Sequence, residues 1–448
     1  MGIYVYIQQY MPHSPNPFTP NSPIDPQFFA GRSDEVFKVQ AALNQTRHGN
    51  TQHILLTGER GIGKTSLAIF ARYMAQEPNI ILGTDFRFAT AYYTVERGQS
   101  LIDVCQGLTS KLLSQVDKGL AQSCVDKLKG LNLHFGIHVP GVGEIKVDPK
   151  ETSEVKARLY ADFENAIKEA WDELRNTYNG ILLVVDELHN LENFEGAGSF
   201  FKVVSEAWAV DGYRNAMFAA IGLPEVPIKI AQDDPSAPRV FSYVELKRMT
   251  LQECLDILNS RVAKSNKTFE PHAAADIAKW SGGFPYFLHQ LAYDAFEKDT
   301  DNIIGDEDVL SGLLASLVQF ERMAFGDLYK SVEGKQKQKI VDELSRAFAS
   351  PRTATDLGKS LKVKNVHQYL KSLQKAGIVE NVKSRYRLSS ELLSIYVQLQ
   401  ISAAGGRTGL ESVSKYPAGA GNSEPSQDPS PRKGNPNKFP DSSRGSGE

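Results

Sequence analysis

Over its first 250 positions the chain alternates between two spacings of apolar residues. Short apolar runs occur as HILL at 53–56, leading to a glycine, ILLVVD at 181–186 and AMFAAIG at 216–222. Runs of this length with no polar alternation predict strands buried on both faces. FRFATAYYTV at 86–95 reads as another strand, and FSYVEL at 241–246 as the last. Between them the spacing lengthens to that of helices at 34–46 (Val36, Phe37, Val39, Ala42, Leu43), 64–76, 99–116 and 153–178. Strands alternating with helices over some 200 residues predict an α/β fold with a parallel sheet covered on both sides. Chain order alone sets neither the strand order nor the number of edges. Around Pro140-Gly141-Val142-Gly143, LHFGIHV and EIKV alternate apolar with polar residues, which predicts a β-hairpin inserted at 131–148.

Beyond position 250 the strand signal gives way to helical periodicity at 250–263, 271–279, 284–298 and 306–330, the pattern of a small bundle. A third unit occupies 331–400. There a first helix covers 336–348, TATDLGKSL at 353–361 gives a Thr-capped second, and NVHQYLKSLQKAG a third with Val366, Leu370 and Leu373 on its apolar face. IVENVKSRYRL at 378–388 reads as two wing strands, completing a winged helix. Residues 1–27 are rich in Pro, Asn and Ser and predict an irregular arm. From 401 to 448 Gly, Ser, Pro and Asn dominate, and a segment so poor in apolar residues is expected to stay disordered.

At 448 residues the chain exceeds a single core, in keeping with a core at 28–249, a helical unit at 250–330 and the winged helix. No stretch approaches the 18 or so apolar residues of a membrane span. The N-terminus has neither a basic n-region nor a long apolar h-region, and Tyr6 stands where myristoylation needs Ser or Thr. A cytoplasmic protein with no membrane partner is expected. Cys105, Cys124 and Cys254 form no CxxC pair and read as free thiols.

Candidate chemistry centres on Gly58-Glu59-Arg60-Gly61-Ile62-Gly63-Lys64-Thr65, which matches G-x-x-x-x-G-K-[ST] at every fixed position. An apolar strand precedes it and an amphipathic helix follows, the context in which successive N–H groups and a helix N-terminus surround phosphates. Lys64 is expected to reach the β- and γ-phosphates, Thr65 to bind Mg²⁺, and Ser66 to complete the loop's contacts. ILLVVDEL places Asp186 at the C-terminal end of a central strand, where open α/β sheets hold ligands. Asp186 would hold Mg²⁺ and Glu187 would polarise the attacking water. Arg239, just before the last strand, is the candidate for an arginine acting on the site of a second copy. Asn266-Lys267 and Asn437-Lys438 both lack the Asp of a guanine motif, so ATP is the expected nucleotide.

FFAGRSDEV at 28–36 resembles the F-x-G-R-x-x-E box that opens the ATPase module of origin-recognition-like AAA+ proteins and of the related signal-transduction ATPases with numerous domains (STAND). The phosphate loop, Asp186-Glu187, Arg239 and a helical lid at 250–330 follow in that order. The resemblance implies that Gly31 and Arg32 neighbour the adenine. Two departures stand out. Ala220-Ile221-Gly222-Leu223 lacks the polar sensor of AAA+ enzymes, and SGGFPYFLHQL at 281–291 has no sensor arginine. Gly283-Phe284-Pro285 instead looks like the Gly-x-Pro motif of the signalling branch, which would bring Pro285 to the nucleotide.

Residues 331–400 hold 13 Lys and Arg against 6 Asp and Glu, a net of +7, which leaves −10 for the rest of a chain whose total is −3. Duplex DNA is therefore a candidate partner, with Lys364, Asn365, His367, Gln368 and Lys371 facing the major groove and Lys383, Arg385 and Arg387 on phosphates. Taken together, an ATPase is expected whose ATP state controls self-assembly or delivery of a protein partner on DNA. The competing reading is a STAND-type signalling or defence switch, cycling between ATP and ADP, in which the winged helix braces the molecule or docks a protein. A binding module without hydrolysis is disfavoured by intact Lys64, Thr65, Asp186 and Glu187.

Overall fold

The computed structural model describes residues 15–24, 26, 29–76, 85–131, 133–147, 153–192, 194, 196–320, 332–347 and 350–404. Its first half runs α1 (Ser33–Arg47), β1 (His53–Gly58), α2 (Lys64–Gln76), β2 (Phe88–Thr94), α3 (Leu101–Ser114) and α4 (Lys118–Leu128). The hairpin β3 (Ile137–Val139) and β4 (Gly143–Ile145) follows, then α5 (Ser153–Leu174), β5 (Gly180–Asp186), α6 (Ala197–Val210), β6 (Ala216–Gly222), α7 (Val226–Asp233) and β7 (Phe241–Leu246).

Five strands form one parallel sheet in the order β2-β5-β6-β1-β7. Every residue of β1, β5 and β6 is buried, which is why these strands read as continuous apolar runs. Alternate side chains feed two cores. Leu55, Leu183, Val185, Phe218 and Ala220 pack with Phe163, Phe200 and Trp208 on one face, while Ile54, Leu56, Leu182, Val184 and Met217 pack with Leu67, Ala71 and Met74 of α2 on the other. At the edge, β7 leaves Ser242, Tyr243 and Glu245 exposed, so its sequence mixes polar and apolar residues. The hairpin turns Ile137 and Val139 into the first core and leaves His138 outside. Helix α4 was not among the expected helices, although Ala121, Cys124, Val125 and Leu128 fall at helical spacing. It is capped by Asp117, which accepts the Gly119 N–H, and buries Cys124, Val125 and Leu128.

The second half contains α8 (Leu251–Val262), β8 (Thr268–Phe269), α9 (Pro271–Trp280), α10 (Pro285–Lys298), β9 (Ile303–Ile304) and α11 (Asp306–Phe320). Periodicity predicts helices alone here, yet β8 and β9 form a two-residue parallel ladder. Buried Lys267 anchors it by donating to the Phe296 and Asp299 carbonyls and pairing with the Asp299 carboxylate at 2.7 Å. The last ten positions of the helix predicted at 306–330 lie outside the described residues.

After them come α12 (Lys335–Arg346), α13 (Ala354–Leu361), α14 (Val366–Lys375), the antiparallel pair β10 (Val379–Val382) and β11 (Arg385–Leu388), and α15 (Glu391–Ala404). Thr353 caps α13, Val366, Leu370 and Leu373 form the buried stripe of α14, and Arg352 pairs antiparallel with Tyr386. Helix α15, unforeseen in the sequence, packs on α12 and carries the fold to Ala404, four residues into the segment expected to be disordered. One apolar cluster extends from Met249 to Val397, so the helical unit and the C-terminal unit share a core.

Phe18 belongs to that same core. It is 1% exposed and packs edge-on to Phe269, His289 and Phe296 with centroids 6.1, 5.9 and 6.4 Å away. The arm is irregular as predicted, but its described part is pinned to the helical unit. Among the described residues no helix is long and apolar enough to cross a membrane. The three cysteines are free and buried.

One buried titratable group predicts an acid response. His53 in β1 accepts the Phe218 N–H on Nδ1 at 3.0 Å, and burial lowers its pKa from 6.5 to about 4. The unfolded chain takes up this proton near 6.5 and the folded one only near 4. Stability present above pH 6.5 is therefore lost as pH falls to 4, by on the order of 3 kcal/mol. Urea unfolding at pH 7 and pH 4 is expected to show this loss, and His53→Asn to reduce it.

Candidate functional site

The loop between β1 and α2 turns at Gly61 and Gly63, whose φ values of +74° and +98° only glycine adopts without strain. Its successive N–H groups and the first turn of α2 face one hollow beyond the C-terminal edge of the sheet. Lys64 is 6% exposed, and its Nζ donates to the Gly58 and Glu59 carbonyls at 2.9 Å each. Burial holds its pKa below the ordinary lysine value, against the opposing pull of Glu187 and Asp186. An ammonium held by two neutral carbonyls is available to any stronger anionic acceptor that enters.

Asp186 closes β5 and is 1% exposed. Although β6 lies between β1 and β5, α2 crosses over it, and the Thr65 hydroxyl donates to Asp186 Oδ2 at 3.0 Å. From the other side Tyr92 of β2 donates to the same oxygen at 2.6 Å. Oδ1 accepts the Glu187 N–H at 2.8 Å. Burial first, and then the neighbouring Asp186 charge, push the Tyr92 phenol well above its ordinary pKa, so it remains a donor. Neighbouring ligands of an octahedral Mg²⁺ with bonds of about 2.1 Å lie about 3 Å apart. The Thr65–Asp186 oxygen pair fits that ion in spacing and in hardness.

Lys64, Thr65 and Glu187 border a cavity of about 600 Å³, with Asp186 buried behind Thr65. The core supplies Arg60, Gly61, Gly63, Lys64, Thr65, Ser66 and Glu187, the helical unit Pro285, Tyr286 and His289, and the arm Thr19–Ile24. The Ile24 N–H donates to Ser66 Oγ at 3.3 Å, and the Thr19 N–H to His289 Nδ1 at 3.4 Å. Helix α10 begins against the loop, where the Tyr286 N–H donates to the Gly61 carbonyl at 3.4 Å. The helical unit thus closes over the loop as a lid. A second hollow, about 290 Å³ between Gly49–His53 and Ser205–Arg214, lies at the far end of β1 and collects none of these groups.

Not every residue singled out from the sequence lines the cavity. Gly31 and Arg32 do not line the cavity and stand behind the loop. Arg32 is 5% exposed, donates to the Ile62 carbonyl at 3.0 Å and to the Lys247 carbonyl, and pairs with Glu35 at 3.5 Å. Its N–H donates to Glu253, the residue that also caps α8 through Thr250. Gly58 ends β1 with no room for a side chain beside Leu246, and Ile62 is buried beneath the loop. Glu59 is exposed and faces Arg248 at 3.9 Å. Arg239 is exposed in the turn before β7, at the end of the sheet opposite the loop, out of reach of its own Lys64. Lys364, Asn365, His367, Gln368, Lys371, Lys383 and Arg385 are exposed on α14 and the β10–β11 hairpin, whereas Arg387 is half-buried and bonded to Glu380.

Tyr92 and the arm residues were missed. Tyr92 sits in a run that reads as core, and its hydroxyl matters only because β2 pairs with β5 in the register Tyr92–Val184. The arm's one signal is Phe18, a large apolar residue among prolines.

The AAA ATPase domain family matches residues 29–226. Those residues, which carry the phosphate loop and strands β1, β2, β5 and β6, are similar to an AAA ATPase domain. No curated protein matches the sequence. Among solved structures, the Walker-type ATPase of Pyrococcus abyssi aligns with a TM-score of 0.51 at 14% identity, over 83% of this chain and 96% of that one. The ADP form of the ORC2 protein of Aeropyrum pernix aligns at 0.47 and 15% identity, over 86% and 98%. Thermotoga maritima RuvB aligns at 0.37 and 17%, over 85% and 96%. The first of these is a likeness of fold, the parallel sheet with flanking helices described above.

Within the matched residues, Tyr92 holds the carboxylate that the Thr65 hydroxyl meets. Removing a partner that orients a metal ligand typically costs ten- to a hundredfold in metal affinity. Were Asp186 the metal ligand expected from the sequence, Tyr92→Phe would raise the Mg²⁺ concentration needed for half-maximal occupancy about tenfold, with metal-free nucleotide binding unchanged. Magnesium titration of the wild-type and Tyr92→Phe proteins, with nucleotide binding measured without metal, checks it.

Proposed function

We propose that the chain binds ATP with Mg²⁺, hydrolyses it, and uses the nucleotide state to control its assembly or the delivery of a partner on DNA. The observation that carries the reading is that Lys64, Thr65 and Glu187 line one lidded cavity, with buried Asp186 just behind Thr65 and bonded to its hydroxyl. In this reading Lys64 leaves its two carbonyls for the β- and γ-phosphates, while Thr65 and Asp186 hold Mg²⁺. The metal supplies charge neutralisation at the phosphates. Glu187 polarises the attacking water, and positioning with electrostatics provides most of the rate. Pro285 and the arm residues Thr19–Ile24 wall off the rest of the cavity, where the base and ribose are placed. Arg239 is assigned to the cavity of a second copy, because it lies at the opposite end of its own sheet.

Helices α12–α14 followed by the β10–β11 hairpin support the winged-helix reading, and the exposed polar residues of α14 support duplex DNA as a partner. Four exposed cations, Lys364, Lys371, Lys383 and Arg385, set the expected salt dependence. With four phosphates neutralised, affinity falls about 10²-fold between 50 and 200 mM salt. Arg387 contributes less than the rest, since Glu380 already holds it.

The lid contact favours a second reading. Tyr286 and Pro285 already rest on Gly61 and Gly63, as in a switch kept closed until ATP exchanges in. The winged helix then braces the lid or docks a protein, and DNA plays no part.

Sizing the Glu187→Gln protein with ATP, with and without duplex DNA, separates the two. ATP binding with hydrolysis lowered at least 10²-fold, together with ATP-dependent growth on DNA, supports the first reading. Growth with ATP that DNA leaves unchanged at 50 mM salt supports the switch. Lys64→Ala is expected to lose ATP binding, and retained binding there would overturn the phosphate assignment.

A further inference from the structure

The turn after β5 carries a histidine that nothing above employs. His189 lies in the short 3-10 turn Leu188–Asn190, with its side chain 7% exposed. Its Nε2 is 3.0 Å from Glu187 Oε2, yet neither ring nitrogen makes a hydrogen bond. A buried polar group left without a partner is destabilising, and one in a native structure calls for an explanation. Burial lowers the His189 pKa; Glu187 opposes that shift, while Arg60 and Lys64 add to it. A neutral ring keeps one N–H to give.

Two features of the surroundings point the same way. Glu187 has a left-handed backbone, φ +56°, so its carboxylate is aimed from a conformation that non-glycine residues rarely hold. The end of β6, packed against this turn, reads Ala220-Ile221-Gly222-Leu223 and brings no polar side chain. His189 is the polar group placed beside Glu187 on that side.

We propose that His189 is the positioning residue for Glu187: a small rotation brings its N–H into line with Oε2, and that bond fixes the carboxylate toward the attacking water. The inference rests on the reading of Glu187 as the water-activating base. The proton lost by water goes to Glu187, and His189 keeps its own throughout.

Hydrolysis and ATP affinity of full-length variants test it. Glu187→Gln is expected to stop turnover and keep ATP binding; turnover retained there overturns the base assignment and the proposal together. With that control inactive, His189→Ala is expected to lower kcat about 10²-fold, the size of effect produced by a misplaced catalytic group, with KM within threefold. His189→Gln, which restores an N–H, recovers at least tenfold of the loss, and His189→Phe, which only fills the space, does not. The double variant Glu187→Gln/His189→Ala is no slower than Glu187→Gln alone, because the two act as a unit. An unchanged kcat in His189→Ala, or equal recovery by Phe and Gln, overturns the proposal while leaving Glu187 in its role. If the alanine variant does not fold, the Gln and Phe variants make the comparison.

Discussion

The hydroxyl of Thr65 donating to the carboxylate of Asp186 joins two segments 121 positions apart, and most of the architecture serves that meeting. It requires β1 and β5 to end level on the same edge of a parallel sheet, with β6 between them and α2 laid across. A charged carboxylate at 1% exposure is costly unless its oxygens are bonded, and here three donors from β2, α2 and the backbone of Glu187 satisfy it. Slipping β2 against β5 by one residue would turn Tyr92 to the other face and leave Asp186 short of a donor.

A second set of contacts holds the loop itself. The Arg32 guanidinium reaches the Ile62 carbonyl from behind and Lys247 in the β7–α8 connection, while the Arg32 backbone N–H donates to Glu253 of the lid. Arg248 continues the chain: it faces Glu59 of the loop at 3.9 Å, covers the Phe284 ring at 4.8 Å and meets Glu380 of β10 at 3.5 Å. Glu380 in turn holds Arg387. Loop, lid and C-terminal unit therefore touch one another through a short series of charges. The series is partly exposed, so each pair contributes little to stability and is readily rearranged.

The core elements were legible because burial on both faces leaves a strong trace: unbroken apolar runs for β1, β5 and β6, and one apolar stripe for α14. The phosphate loop was legible because its glycines, lysine and threonine stand at fixed spacings between a buried strand and a helix. Other features left weaker traces. The β8–β9 ladder is two residues long and is held by a buried Lys267–Asp299 pair, which no periodicity reveals. Arg32 was placed at the nucleotide by resemblance, while its burial directs it to carbonyls behind the loop. Tyr92 and His189 acquire meaning only from strand register and from the turn that follows β5. The Pro-rich arm reads as irregular in either case, and its position over the cavity comes from Phe18 inserted among lid aromatics and from hydrogen bonds of Asn16, Thr19 and Ile24.

Because one apolar cluster runs from Met249 to Val397, the lid has no cleavage plane within it. Prising α9 away from α15 would bare side chains such as Ile277 and Leu393. The chain near Lys247–Thr250 is the joint instead, held by buried Met249 and by the contacts of Arg248 with Glu59, Phe284 and Glu380. A rotation there moves α8–α15 and the β10–β11 hairpin together, as one body.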